Sequence, residues 1–299
     1  MSGVRFRFVL PGLLVLACSL LVLSVACGGD DDDGDDGDGP SSSSGQKLQE
    51  VNVIARDFSF EAPDSIAGGL VRFKLKNEGK DPHQAQMVRL NDGVTLQQFQ
   101  TAAQSPDPSA VLRLITVQGG PNGVSGGKSQ DVVNNLQAGS YLYLCFVSGE
   151  DGVSHIEKGM VKPFQVTAPT GTAEPPTASA QVTLADFSFL GADSFSSGKT
   201  TVEVTNGGPQ PHELTVYKLS AGVTVDDLRA MLASEDETPP SGPSPVVEAG
   251  GLGAIMAGQK GYVDLDLTSG NYVFVCFLPD PNSGAPHAAL GMVKGVTVR

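Results

Sequence analysis

Most of this chain is one passage written twice. VIARDFSFEA (Val53–Ala62) returns as VTLADFSFLG (Val182–Gly191), and NEGKDPHQAQMVRL (Asn77–Leu90) returns as NGGPQPHELTVYKL (Asn206–Leu219). GVTLQQF (Gly93–Phe99) is answered by GVTVDDL (Gly222–Leu228), and AGSYLYLCFV (Ala138–Val147) by SGNYVFVCFL (Ser269–Leu278). The offset between copies is nearly constant, so the fold must be a module that closes on its own core and is then repeated. With 299 residues, the chain is long enough for two such cores.

The first module is read as residues 47–167 and the second as 181–299, joined by the Pro, Thr and Ala-rich segment 168–180, a flexible linker by composition. Within each copy, VRFKLKN, TTVEVTN and YVDLDL alternate apolar and polar residues, the period of a half-buried strand. Around TLQQFQTAAQ and TVDDLRAMLAS the period lengthens, which predicts one short helical insertion per module. Many short strands with Gly and Pro turns make each copy a β-sandwich, and the chain all-β.

Residues 1–26 have the form of a secretory signal: Arg5 and Arg7, an apolar run from Phe8 to Val25, then Ala26 before Cys27. LSVAC resembles the bacterial lipoprotein box, which implies cleavage before Cys27 and a lipid on that cysteine. An uncleaved membrane-spanning helix is the alternative, since the run approaches bilayer length. Either way the body of the protein is expected outside the cytoplasm, held to the cell membrane. Residues 27–46 include Asp30 to Asp33, Asp35, Asp36 and Asp38 among Gly, Ser and Pro, a composition that predicts a disordered tether. Those aspartates are half of the net charge of −14, so the acidity belongs mostly to the tether. With Lys+Arg 19 against Asp+Glu 33, a nucleic-acid surface is disfavoured.

The chemistry concentrates in four residue types. The only histidines, His83, His155, His212 and His287, fall at equivalent positions of the two copies, as do Cys145 and Cys276, and Met160 and Met292. Each copy thus shows Pro-His early, Tyr-x-x-x-Cys late, a second His on the following loop, and Met five residues beyond it. Strand alternation puts Tyr141, Tyr143 and Cys145 on one face, so the sulfur points into the sandwich near its end. A soft thiolate, two imidazoles and a weak thioether form a donor set suited to copper that changes oxidation state. A lone buried cysteine or methionine is ordinarily core, but four such residues recurring together are hard to assign to packing alone.

In these residues and in the closing strands AGSY…C and SGNY…C, both modules resemble the cupredoxins, the small blue-copper sandwich proteins. The resemblance implies two tandem Greek-key sandwiches and one type 1 copper ion per domain. It implies the ligands His83, Cys145, His155 and Met160 in the first, and His212, Cys276, His287 and Met292 in the second. It further implies single-electron transfer with an unidentified redox protein or copper donor as partner. Two departures stand out. The Cys-to-His loop is longer than in plastocyanin-like members, and the residue after the first histidine, usually Asn, is Gln84 or Glu213, which implies looser copper binding.

The chain has no histidines left over for a second type of copper centre, so an electron carrier or binding protein is expected rather than an enzyme. A non-redox binding, adhesion or copper-sequestering module is the rival reading, and a Cys145–Cys276 disulfide is a further alternative. NGVSGGKS (Asn122–Ser129) resembles a phosphate loop, but Asn122 stands where the first glycine belongs.

Overall fold

The computed structural model of the chain describes residues 47–105, 109–149, 151–233 and 244–299. The expected signal, Cys27 and the acidic tether lie outside these residues. In the first module the elements are β1 (Gln49–Arg56), β2 (Ser59–Glu61), β3 (Ser65–Ala67), β4 (Gly69–Asn77), β5 (Gln86–Leu90), α1 (Leu96–Ala103), α2 (Ser109–Leu112), β6 (Ile115–Val117), β7 (Ser129–Leu136), β8 (Gly139–Leu144) and β9 (Val161–Thr167). The second module repeats the order as β10 (Ala180–Ala185), β11 (Ser188–Gly191), β12 (Ser194–Phe195), β13 (Gly198–Asn206), β14 (His212–Leu219), α3 (Val225–Ala233), β15 (Val246–Ile255), β16 (Lys260–Leu267), β17 (Gly270–Val275) and β18 (Val293–Val298).

Each module is a two-sheet, cupredoxin-like sandwich. One sheet runs β3-β9-β8-β5-β6, and its counterpart runs β12-β18-β17-β14-β15. The strand β8 shows why the sequence folds this way. Its alternate residues Tyr141 and Tyr143, followed by Cys145, point into the main core, while Leu142 and Leu144 pack outward with Val88, Leu90 and Phe99. A strand buried on both faces needs a cover, and the helical insertion supplies it. The helix α1 lays Phe99 over that outer face, and α3 lays Leu228 over Val273 and Val275. Both helices start on a threonine: Thr95 forms a capping box with Gln98, and Thr224 exchanges the same pair of bonds with Asp227.

The remaining sheet is shared. Its order, β11-β10-β13-β16-β7-β4-β1-β2, runs through both modules, with β16 antiparallel to β7 from Gly261↔Asn134 to Asp264↔Asp131. The two modules, whose packing against each other the sequence left open, form one continuous sheet. The physical reason is the edge strand, whose free N–H and C=O groups either pair or invite aggregation. Side chains seal the seam. Gln86 donates to the Ala254 carbonyl and accepts the Ala254 N–H (2.6 Å), Gln130 donates to the Asp264 carbonyl (2.6 Å), and Arg72 reaches Asp264. Two glycines permit the approach. A Cβ on Gly250 (φ 91°) would collide with the Gln130 side chain of the other module, and one on Gly253 would meet Gln86 Oε1 at 2.6 Å and the Gly119 carbonyl at 3.1 Å.

Candidate metal centres

The strand ends gather the candidate ligands. His83 lies between β4 and β5, bridged to Val124, and His212 opens β14. Cys145 and Cys276 directly follow β8 and β17, and Met160 and Met292 directly precede β9 and β18. The loop between them folds back on itself: Cys145 N–H donates to the Met160 carbonyl (3.4 Å), and Met160 N–H to the His155 carbonyl (2.9 Å). The second module repeats both bonds, from Cys276 to Met292 (3.3 Å) and from Met292 to His287 (2.9 Å). Both methionines are fully buried.

In the first module His83 Nδ1 and His155 Nδ1 are 3.0 Å apart, and Cys145 Sγ lies 3.9 Å from the former and 3.5 Å from the latter. In the second, His212 Nδ1 and His287 Nδ1 are 3.0 Å apart, with Cys276 Sγ at 4.0 and 3.4 Å. Metal–ligand bonds of about 2.0–2.3 Å let a single ion touch three donors spaced in this way. The convergence expected from the sequence is therefore present twice. Both cysteines are free and each is buried in its own cluster, so the disulfide alternative is not realised.

Hydrogen bonds outside the clusters orient the rings. A carboxylate can only accept, so His83 and His212 must donate from Nε2 to Asp57 (3.1 Å) and Asp186 (2.7 Å). His287 likewise donates from Nε2 to Gln210 Oε1 (3.1 Å). Asp81 stands at the position matching Gln210, with its Oδ2 3.5 Å from His155 Nε2, but that nitrogen has no hydrogen-bond partner among the described residues. An imidazole that donates from Nε2 presents a lone pair at Nδ1. In the second centre two such lone pairs face each other, an arrangement that repels unless a cation or proton lies between them.

The rings are also sealed. His155 is 0% and His287 1% exposed, each with a phenylalanine edge-on at 5.1 Å, Phe58 and Phe187. Phe58 is the one non-glycine residue with a left-handed φ (66°) among those described, and Lys158 Nζ sits 4.5 Å above its ring. Burial pushes the Cys145 thiol up to about 11 and the Cys276 thiol up to about 12. It pushes His83, His155 and His287 below the usual histidine range, aided in the last two by the neighbouring imidazole. Glu213 is raised to about 7 by burial, against the hydrogen bonds from the Phe277 N–H and Asn122.

These histidines make the metal-free protein acid-labile. Their folded pKa lies below the unfolded value of about 6.5, so the stability they contribute is present above that pH and lost as pH falls through it toward the folded value. Calorimetry is expected to show the melting temperature falling by about 5 °C or more between pH 7 and pH 5. A flat profile would contradict the burial of neutral imidazoles.

The two histidines and the cysteine expected in each module meet in one cluster, with Met160 and Met292 buried at the ends of the same loops, but the sequence did not single out the groups that orient the rings. Asp57 and Asp186 stood in the repeated Asp-Phe-Ser-Phe, at the same distance from His83 and His212, and that constancy was the available signal.

No protein-family model matches the chain, and no curated protein does. Among solved structures, the dithionite-reduced auracyanin of Roseiflexus castenholzii is 20% identical, covering 40% of this chain and 94% of its own, with a TM-score of 0.28. The blue copper oxidase of Nitrosomonas europaea is 13% identical over 84% of this chain and 86% of its own, with a TM-score of 0.24. The copper-containing nitrite reductase of Thermus scotoductus is 12% identical over 85% of this chain and 61% of its own, with a TM-score of 0.24. At these identities the likeness concerns the fold alone. Oxidase and nitrite reductase stand in it beside the auracyanin, so the expectation of a carrier or binding protein rather than an enzyme is withdrawn. The same sandwich hosts both kinds of protein, and counting spare histidines does not separate them.

Proposed function

We propose that the protein binds one copper ion in each module at a type 1 site and passes single electrons outside the cytoplasm, anchored to the membrane by a lipid on Cys27. His83, Cys145, His155 and Met160 would hold the first ion, and His212, Cys276, His287 and Met292 the second. The observation that carries this reading is the pair of inward-facing Nδ1 atoms, 3.0 Å apart in both modules, with a thiol 3.4–4.0 Å away. Copper would supply a one-electron couple at such a donor set.

The chain's own residues prepare the site. Asp57, Asp186 and Gln210 hold protons on the outer ring nitrogens and so keep the inner ones free to bind. The thiols hold their protons at neutral pH, so each must release one on binding, and affinity is expected to rise about tenfold per pH unit. The phenylalanines and the buried methionines exclude water, and the sheet fixes the donors before the ion arrives.

Titrating the metal-free chain with Cu(II) tests the proposal. Two equivalents taken up with an intense visible thiolate-to-copper band and a reversible redox wave are expected. A colourless protein would overturn the reading, and colour without a reversible wave would assign copper sequestration instead.

A further inference from the structure

One polar contact across the seam ends beside a candidate ligand. Glu213 follows His212 directly and is 7% exposed. Its Oε1 accepts the N–H of Phe277 (2.9 Å), the residue after Cys276. The side chain of Glu213 thus holds the segment that presents the thiol.

The carboxyl is held in turn from the other module. Asn122 is 3% exposed, and its Nδ2 donates to Thr215 Oγ1 (2.9 Å) and, at 3.5 Å, to Glu213 Oε2 and the Leu214 carbonyl. Asn122 is itself fixed, its N–H on the Gly251 carbonyl (3.2 Å) and its Oδ1 on the Gly123 N–H (2.7 Å). The contact has no reciprocal. His83 bridges Val124 and His212 pairs with Ile255, so the position matching Asn122 is Gly253, which has no side chain to return it. The residue matching Glu213 is Gln84, a neutral amide.

We propose that Asn122 is a positioning residue of the second centre: through Glu213 it fixes the Cys276–Phe277 segment, so that this centre is complete only with the first module docked against it. The first centre has no such dependence on the second module. The metal chemistry rests on the copper reading above, whereas the positioning of the thiol does not.

The test follows both thiols of the metal-free chain by mass spectrometry during reaction with a maleimide. Asn122→Ala is expected to speed modification of Cys276 about fivefold while leaving Cys145 unchanged. Asn122→Asp, the same shape without the donor, gives the same selective change should the alanine variant fold poorly. Ser125→Ala, which removes a different cross-module bond, Ser125 Oγ to Glu248 (2.9 Å), leaves both rates as they were. Acceleration of both thiols or of neither, or an equal effect from Ser125→Ala, overturns the proposal. With copper added, Asn122→Ala should alter the visible band measured in a Cys145→Ser background and spare the band measured in a Cys276→Ser background; any other pattern of change counts against it. A chain that takes no copper sinks the electron-transfer reading and leaves the maleimide comparison to decide this one.

Discussion

Replacing Cys145 with serine is expected to abolish the visible thiolate-to-copper absorption of the first centre and leave that of the second. Cys276→Ser does the reverse, and the double variant is colourless. The sulfur is the only soft anionic donor in each cluster, and a serine hydroxyl at the same point neither ionises readily nor offers a low-energy charge-transfer donor. The fold should survive the change. The substitution is nearly isosteric, and an imidazole nitrogen already 3.4–3.5 Å from the sulfur can pair the buried hydroxyl, so stability shifts by about 1 kcal/mol or less. Absorption titrations of the three variants check this, and a band that persisted in the double variant would remove the thiols from the sites.

The aspartates behind the rings should matter almost as much. Asp186→Ala leaves His212 Nε2 without its acceptor, and Asp57→Ala does the same to His83. Each ring can then move its proton to Nδ1, where it competes with the ion, and loses the contact that sets its angle. Copper affinity is expected to fall 10–100-fold at the affected centre alone, measured by competition with a chelator of known strength. Asp186→Asn, which keeps an acceptor oxygen, should recover part of the loss. Equal affinities in all three would mean that the ion orders its own ligands.

The readable parts of this protein were those encoded by local periodicity or by repetition. Alternation in YLYLC correctly put Tyr141, Tyr143 and Cys145 on one face because a strand's side-chain period is two whatever lies beyond it. The helices were legible because the apolar period lengthens in TLQQFQTAAQ and TVDDLRAMLAS, where α1 and α3 form. The ligand set was legible because rare residue types recurred together. The Asp57 and Asp186 contacts were harder, since an aspartate in a turn has many uses and its partner lies 26 residues away. Withdrawing the expectation of a non-enzyme has a different cause, since residue counts do not tell a carrier from a catalyst built on one sandwich.

The sequence by itself determined two sandwiches with their covering helices, and the two imidazoles and one thiol that meet in each, because each of these follows from neighbours in the chain or from comparing one copy with the other. Only the tertiary structure decided that β7 and β16 join the copies into one sheet, that Gly250 and Gly253 let them approach, and that Asn122 of one module reaches Glu213 of the other. Those outcomes depend on which edges meet and on which backbone groups remain unpaired when they do, quantities that no local pattern carries.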